Sequence, residues 1–533
     1  MAQSTSSPAE SSKRASGRVV LPAVAVAFGI AALLVGTAGD YGLTLDEPIY
    51  IGSAGRLADW FADTLASGPG RIGANFRDER LQEVWAFARP QNYNLPVPVL
   101  LSCVGHQISR HWLSPLVSYR FGHCLLMAAT VGVLFGCLAS SHGWQVACVS
   151  AGSLLGMPHV FVHAHLNTTD AALSCFWVLT ILGWLHAGSS WRGGLLPAIA
   201  CGLGLATKAT FVLLPPLLML WLLLFRRWAW WRAAVLICLL SPLVMLLFCP
   251  MWWAAPLSRG LEYFRTVFRA DEVWKIEVYY LGQTYIAGVN PIPWHNGLVL
   301  PAVTTPPWTL LLALLCAVQW IRLRDARTGL WSKAALVLPF LRMLPNTPAH
   351  DGVRLMLPSI CCLAPLAGFG FAGLVDRIRV TTTGPSHRVV RWLLVVLLLA
   401  GGAVAVVSMH PYEMSYYSEG IGGLAGASRL GFEVSYWFDA LTPTALEDIQ
   451  QHLPPGSRVW TFPRYDGYPL LREWGLWRPN LVDADVGQAD YLLLYSRKSR
   501  FYAIPGIEQT YERGQPLWSL ECRGVQIIGL YRL

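Results

Sequence analysis

The sequence has 533 residues, of which 54% are hydrophobic and 13% are charged, and its formal net charge is +9. Soluble globular chains have about 25% charged residues, so this composition excludes an ordinary soluble protein. The basic residues lie mainly between long apolar runs, which is typical of membrane topology signals, so the positive charge does not indicate nucleic acid as a partner.

The chain begins with a segment, 1–18, that is rich in Ser and Ala and includes Lys13 and Arg14. We expect it to be a disordered cytoplasmic tail. An apolar run follows at 19–38, and about 20 apolar residues are enough to cross the hydrocarbon core of a bilayer. Because the apolar core of a signal peptide has only about 7–15 residues, we interpret this run as a retained first span, with a signal peptide as the alternative.

The segment after this span contains two neighbouring carboxylates, Asp46 and Glu47, followed by Pro48. Neighbouring carboxylates at a membrane surface repel each other and lose solvation, so they need a partner or a role. The simple interpretation is that Asp46 caps a helix that begins near Pro48. Apolar residues at helical spacing after the proline predict such a helix along the membrane surface, and they are Tyr50, Ala54, Leu57, Phe61 and Leu65.

The apolar runs together predict about eleven membrane spans. They lie near 19–38, 115–139, 144–163, 170–188, 194–207, 209–225, 233–252, 306–321, 334–346, 355–376 and 391–409. Most Arg and Lys residues of the short loops fall on one side, which the positive-inside rule makes cytoplasmic, together with the N-terminus. The long loops 39–114 and 253–305 then lie outside, as does the chain after residue 409.

Three histidines, His159, His163 and His165, lie near Asp170 at the outer end of the third predicted span. Imidazole and carboxylate groups can bind zinc, but this spacing fits no closed metal site, and we favour interfacial histidines. We therefore predict no metal site, although a divalent cation stays open as a cofactor. Asp170 either caps the next span or helps to hold an active-site arginine.

The last part of the chain, 410–533, differs from the rest. Strand-like runs occur at 458–462, 491–495 and 525–531, and a helix is predicted at 444–452. Turn signals rich in Pro and Gly separate these elements. This part is therefore predicted to be a small α/β domain outside the membrane.

The position of Asp46-Glu47, directly after a first span and at the head of a surface helix, resembles the Asp-Glu motif of the GT-C glycosyltransferases. In particular it is similar to the protein O-mannosyltransferase group, glycosyltransferase family 39, which includes bacterial aminoarabinose lipid A transferases. The resemblance covers roughly 19–440, where further short segments match in order. They are Tyr119-Arg120, Asn167-Thr-Thr-Asp170-Ala171, Gly202–Lys208, Tyr279–Gly282, Thr305–Trp308, His350–Pro358 and His410–Tyr416.

This resemblance implies a polytopic helical fold of GT-C type, with a transmembrane glycosyltransferase domain at 19–409. It also implies inverting transfer of a sugar from a polyprenyl-phosphate carrier to an acceptor hydroxyl on the outer membrane face. The implied partners are the donor lipid, membrane lipids and a protein, glycolipid or polysaccharide acceptor. The implied location is the inner membrane of a bacterium, and the sugar stays open.

The resemblance also implies roles for individual residues. Asp46 is implied as the catalytic base, and Glu47 as a group that orients the acceptor or balances nearby cations. The donor phosphate is implied to be bound by Arg354, Arg120, Lys208 and His350, with Asp170 and Tyr280 in support. For the arginines and the lysine the alternative is a snorkelling side chain whose charge reaches water, and Arg120 has the further alternative of pairing with Asp46 or Glu47.

Two other kinds of protein stay open at this point. A secondary transporter or lipid flippase would also be basic and polytopic, but transporters often carry ionisable residues near the bilayer midplane. Here the notable charges gather at the outer ends of the predicted spans. A subunit of an envelope-polysaccharide machine without catalytic activity is the second alternative, and the intact Asp46-Glu47 pair argues against it.

Overall fold

A computed structural model gives the fold of this mainly helical protein. It describes residues 8–89, 92, 94–269, 276–344, 347, 352–381 and 385–533. The first helix, α1 (Pro8–Thr37), begins within the predicted tail, and residues 1–7 of that tail lie outside the described part. Ala, Glu, Lys and Arg in this stretch are good helix formers, so they can extend the apolar helix beyond the membrane.

The first outer loop folds into short helices. They are α2 (Glu47–Ala66), α3 (Pro69–Asn75), α4 (Asp78–Val84) and α5 (Pro96–Ser109). The predicted apolar stripe of α2 is only partly buried. Tyr50, Ala54 and Leu57 face the protein, whereas Phe61 and Leu65 are exposed and Trp60 takes the next buried position.

The helices of the first half of the bundle follow in chain order. They are α6 (Pro115–His142), α7 (Trp144–Leu155), α8 (Pro158–His165), α9 (Thr169–Ala187), α10 (Trp191–Leu205), α11 (Leu214–Leu224) and α12 (Trp231–Phe248). In the most apolar stretch of α9, 83% of the residues are buried, whereas in that of α1 only 6% are buried. Helix α9 therefore lies at the centre of the bundle, and α1 lies at its edge.

The second long loop contains one helix and a small hairpin, and the remaining membrane helices follow it. These elements are α13 (Pro256–Phe268), β1 (Glu277–Tyr280), β2 (Gln283–Ile286), α14 (Asn296–Thr304), α15 (Pro307–Leu323), α16 (Ala326–Arg342), α17 (Leu357–Cys361), α18 (Leu363–Thr381) and α19 (Pro385–Val407).

Helices cover all eleven predicted spans, but not all of them are long enough to cross a bilayer. Within the described residues six helices are long and apolar enough, or seven if α7 and α8, which meet at 70°, form one broken span. Helix α10 has 15 residues and α16 has 17. At about 1.5 Å per residue these reach less than the roughly 30 Å of hydrocarbon, so the prediction of eleven full spans is not confirmed.

After the last membrane helix the chain forms a mixed sheet with short helices. Its strands are β3 (Arg458–Phe462), β4 (Val482–Asp483), β5 (Tyr491–Tyr495), β6 (Trp518–Cys522) and β7 (Val525–Arg532), and its helices are α20 (Gly423–Arg429), α21 (Pro443–Gln451), α22 (Tyr468–Glu473) and α23 (Ile507–Arg513). The strand order is β4-β3-β5-β7-β6, with the first three strands parallel and β7 antiparallel to both neighbours. The three predicted strands and the helix near 444–452 are all present.

Helices α5 and α6 pack against each other with their backbones in close approach. A Cβ on Gly122 would collide with the carbonyl oxygen of Leu101, and one on Gly105 would lie 2.6 Å from the backbone nitrogen of Gly122. Only glycine permits this approach of two helix backbones. The contact lies close to Arg120, whose side chain points under the first outer loop.

Candidate active site

Arg120 lies in the second turn of α6, and its side chain is completely buried. Its Nε and Nη2 donate to the two carboxylate oxygens of Glu47, at 2.7 and 2.6 Å. Further bonds run to the carbonyl oxygens of Ala38, Tyr41 and Gly42, at 2.7, 3.1 and 2.6 Å. A guanidinium has five N–H donors, so all are used and none is left for a phosphate. The structure thus favours the alternative in which Arg120 pairs with Glu47 over a role in donor binding.

The carboxylate of Glu47 is equally enclosed, and it does not face a space where an acceptor could bind. Besides Arg120 it accepts from the backbone N–H groups of Thr44 and Asn167, at 2.9 and 3.0 Å. Burial by itself raises the pKa of Glu47, but the guanidinium and these N–H groups outweigh it and lower the pKa below its ordinary value. Glu47 is therefore an ionised anchor for the first outer loop, which argues against its predicted contact with the acceptor.

Asp46 has a different environment. Arg354, at the start of the short 3-10 turn before α17, donates from Nη1 to Asp46 Oδ2 at 2.9 Å, across 308 positions of sequence. The Asp46 side chain is 35% exposed and that of Arg354 is 12% exposed. Asp46 occupies the N-cap position of α2, but its side chain makes no capping hydrogen bond. The simple interpretation of Asp46 as a helix cap is therefore wrong, and its carboxylate pairs with the guanidinium instead.

A second ion pair lies beside the first. Lys208 Nζ donates to Asp170 Oδ1 at 2.6 Å, and these side chains are 22% and 2% exposed. Asp170 is also within electrostatic reach of Arg354. Burial, together with the charges of Asp46 and Asp170, raises the pKa of Tyr50 above its ordinary value. The structure therefore brings Asp46, Asp170, Lys208 and Arg354 into one cluster around Tyr50.

The three histidines near this cluster lie in the interior. His159, His163 and His165 are all buried, because α8 turns away from α7 into the protein. His159 Nε2 lies 3.0 Å from the carbonyl oxygen of Tyr416, and His165 Nε2 lies 2.8 Å from Thr37 Oγ1. The three imidazoles are therefore enclosed by protein, and their predicted position at the membrane interface stays a prediction. Among the described side chains, no group of three or more His, Cys, Asp or Glu could hold a metal ion.

Two further predicted residues lie away from the ion pairs or outside the described part. The hydroxyl of Tyr280 is 2.7 Å from Nδ1 of His295, and the ring is buried. Tyr280 lines a small recess together with Gly352, which precedes Arg354 by two residues. Tyr280 thus lies by the loop that leads to Arg354, in a recess that Arg354 itself does not line. His350 lies outside the described residues.

Trp437 contacts the site but carries no signal in the sequence. The guanidinium carbon of Arg354 lies 4.6 Å from the centre of the Trp437 ring, a cation–π contact. The indole is 1% exposed and lies in the chain after the last membrane helix. A single tryptophan in an irregular segment has no periodicity to mark it, and only the tertiary fold brings it to the arginine.

Comparison with known proteins agrees with this picture in part of the chain. Residues 108–253 match a family described as dolichyl-phosphate-mannose-protein mannosyltransferase. The sequence resemblance to protein O-mannosyltransferase-like glycosyltransferases is confirmed. The segment that matches this mannosyltransferase family contains Arg120, Asp170 and Lys208, that is, the buried anchor and one of the two ion pairs of the cluster.

Curated relatives come from Pseudomonas aeruginosa strains PAO1 and UCBPP-PA14. Both are undecaprenyl phosphate-alpha-4-amino-4-deoxy-L-arabinose arabinosyl transferases, each 27% identical over 298 residues. The match covers 51% of this chain and 50% of the relative. The chain therefore spans about half the length of the curated relatives it matches.

Two solved structures are also similar. They are crystal structures of ArnT from Cupriavidus metallidurans, bound to undecaprenyl phosphate and in the apo state. The sequence identities are 15% and 16%, the TM-score is 0.48 for both, and the superpositions cover 95% of this chain and 97% of ArnT.

Proposed function

We propose that this protein is an inverting glycosyltransferase of GT-C type that moves a sugar from a polyprenyl-phosphate carrier to an acceptor hydroxyl. The observation that carries the proposal is the pair of Asp46 and Arg354, 2.9 Å apart and partly open to solvent. A base and a cation side by side are what this reaction needs. The names of the arabinosyl transferase relatives support the same donor class.

The two groups have complementary tasks in this reaction. The acceptor oxygen forms a bond to the anomeric carbon while the bond from that carbon to the phosphate oxygen breaks. Asp46 takes the proton of the acceptor hydroxyl, for which it must lie within hydrogen-bond reach. Arg354 binds the phosphate, which gains negative charge as it leaves, and a fixed guanidinium stabilises that charge more in the transition state than in the ground state.

Lys208 is the second cation that we assign to the donor. Its side chain is 22% exposed, while its partner Asp170 is buried and accepts a hydrogen bond from the ammonium group. The two neighbouring ion pairs then carry two carboxylates and two cations, so an arriving phosphate has two positively charged side chains to bind. We assign Arg120 and Glu47 to support of the first outer loop. His350 stays a candidate for donor binding from the sequence alone.

The proposed arrangement in the cell follows from the charge of the loops. The N-terminus lies in the cytoplasm, and the loops 39–114 and 253–305 and the domain 410–533 lie on the outer face of a bacterial inner membrane. The ion pairs then face the outer leaflet, where the donor lipid enters from the bilayer. The acceptor is a protein, a glycolipid or a polysaccharide, and the sheet domain lies beside its entrance.

A transfer assay with a matched control tests this function. Purified protein is incubated with polyprenyl-phosphate sugars and membrane extract, and released polyprenyl phosphate and glycosylated product are measured. Asp46→Asn should lower the turnover by about a thousandfold or more, because the side chain keeps its shape but loses the base. The control is Asp466→Asn, since Asp466 is an exposed aspartate whose side chain pairs with Arg464 on the surface.

The outcomes separate an enzyme from a transporter. The proposal requires wild type and Asp466→Asn to release the lipid phosphate at similar rates, and Asp46→Asn to retain donor binding. A protein that moves the lipid across vesicle membranes without releasing sugar would instead be the transporter or flippase. An Asp46→Asn variant with normal turnover would overturn the assignment of the base.

A further inference from the structure

A short buried segment, Ser435–Leu441, lies against the loop that carries Asp46. The backbone N–H of Gly42 donates to the carbonyl oxygen of Asp439 at 2.8 Å, and that of Leu45 donates to Trp437 at 3.0 Å. A Cβ on Gly42 would lie 2.5 Å from the carbonyl oxygen of Leu441, so the approach requires glycine. The position of the Asp46 loop is therefore set by this segment.

The same segment also contacts the loop that carries Arg354. Gly352 has φ +54 and lies so close to Tyr436 that a Cβ would be 2.5 Å from the tyrosine oxygen. Two residues later, the guanidinium of Arg354 lies against the indole face of Trp437 at 4.6 Å. One segment thus holds both members of the Asp46–Arg354 pair, although they come from opposite ends of the membrane domain.

The segment is itself held by the sheet domain. The ring of Phe438 stacks on that of Tyr465 at 4.7 Å, and Tyr465 in turn donates to the carbonyl oxygen of Leu43 at 2.8 Å. The hydroxyl of Tyr495, at the end of β5, lies 3.3 Å from Asp439 Oδ1. The indole of Trp437 is therefore in a fixed position that does not depend on Asp46.

We propose that Trp437 is a positioning residue whose indole face keeps the Arg354 guanidinium aligned with the donor phosphate when Asp46 turns to the acceptor. This inference rests on the proposed function. In the resting site the Arg354 guanidinium contacts both the Asp46 carboxylate and the Trp437 ring. Once Asp46 accepts a proton it loses its charge and its hold on the guanidinium, and the indole contact stays.

Substitutions that keep or remove the aromatic face test the proposal. Trp437→Phe retains a ring, and Trp437→Leu retains only apolar volume. Binding of undecaprenyl phosphate without sugar and the transfer rate are measured for both. A cation–π contact of this kind predicts about tenfold weaker lipid-phosphate binding for Trp437→Leu and a smaller loss for Trp437→Phe.

A double-mutant cycle and a matched control separate positioning from a merely structural role. In an Arg354→Gln background, Trp437→Leu should have no further effect on lipid-phosphate binding, because the contact acts through the arginine. The control is Trp477→Leu. Trp477 is also 1% exposed but packs on Tyr468 in the sheet domain, so its loss should lower thermal stability and leave lipid binding unchanged.

Each outcome has one meaning. If the wild type binds undecaprenyl phosphate, Arg354→Gln weakens this binding and Trp437→Leu binds normally, the role of Trp437 is overturned and the proposed function stays intact. The role is also overturned if Trp437→Leu weakens lipid-phosphate binding equally in the wild-type and Arg354→Gln backgrounds. It is overturned as well if Trp437→Phe binds the lipid phosphate as weakly as Trp437→Leu. Absence of lipid-phosphate binding and of transfer in the wild type contradicts the proposed function, and the inference falls with it. Should Trp437→Leu fail to fold, Trp437→Phe against Trp477→Phe provides the same comparison.

Discussion

At the scale of single residues, the two neighbouring carboxylates have opposite environments. Successive residues of an α-helix point about 100° apart, so Asp46 and Glu47 cannot share a partner at the start of α2. Glu47 turns inward to Arg120 and is completely buried, whereas Asp46 remains partly open beside Arg354. The sequence motif therefore combines one structural anchor with the carboxylate that we propose as the base.

Because of this difference, we expect neutralisation of Glu47 and neutralisation of Asp46 to change the stability of the fold by different amounts. Glu47→Gln leaves the Arg120 guanidinium buried without a counter-ion, which should destabilise the fold by roughly 3–5 kcal/mol. Asp46→Asn, at a partly exposed pair, should change stability little. Thermal unfolding of the two purified variants in one detergent measures this. Equal melting temperatures for both variants would contradict the assignment of Glu47 as an anchor.

At the scale of elements, His410 connects the ends of the first and last membrane helices. Its Nε2 lies 3.0 Å from Asp40 Oδ2, and its Nδ1 lies 2.8 Å from Glu413 Oε1, with the hydroxyl of Tyr41 at 3.3 Å from the same nitrogen. The hydrogen bond to Glu413, and the charges of both carboxylates, raise the pKa of His410 to about 9. The imidazolium thus joins α1 to the chain after α19 at neutral pH.

The raised pKa gives the stability a predictable dependence on pH. A histidine with a raised pKa stabilises the fold fully below its ordinary value near 6.5, and the contribution is lost as the pH rises through about 9. Burial raises the pKa values of Glu433 and Asp439 to about 7, so the change of stability with pH that these two carboxyl groups cause is confined to pH values below about 7. The melting temperature of the wild type should therefore fall between about pH 7 and 9.

The variant His410→Gln is the control for this effect. It removes the titrating group and keeps a hydrogen-bonding side chain, so its melting temperature should be lower at pH 7 and nearly flat up to pH 9. Thermal unfolding in a series of buffers measures both curves. A variant curve parallel to that of the wild type would show that another group causes the decline.

At the scale of the whole molecule, local patterns predict the elements, and tertiary contacts decide the site. The apolar runs and the strand-like runs gave most helices and strands in their observed places, because these depend on periodicity over neighbouring residues. The short helices α10 and α16 showed the limit of this reasoning, since an apolar run does not define where a helix ends. The family resemblance, and not periodicity, implied that Asp46 and Arg354 both belong to the active site, because no periodicity links residues so far apart.

Two features of the site could not be predicted from the residues. Whether Arg120 faced a phosphate or Glu47 depended on how the end of the first span and the first outer loop fold over α6, which no local pattern predicts. Trp437 contributes through one face of a ring from a segment without regular structure. Both are properties of the folded chain, in which the sheet domain and the membrane helices meet at the first outer loop.

The central claim is that Arg354 and Asp46 serve one active site, with the donor phosphate on Arg354 and the acceptor hydroxyl on Asp46, and a structure with bound undecaprenyl phosphate tests it most directly. We predict a phosphate oxygen about 2.7–3.0 Å from the Arg354 guanidinium, on the side open to solvent, with the Asp46 carboxylate in the same pocket but facing the acceptor side. A phosphate bound elsewhere on the protein, with the ion pair of Asp46 and Arg354 unchanged, would contradict the account.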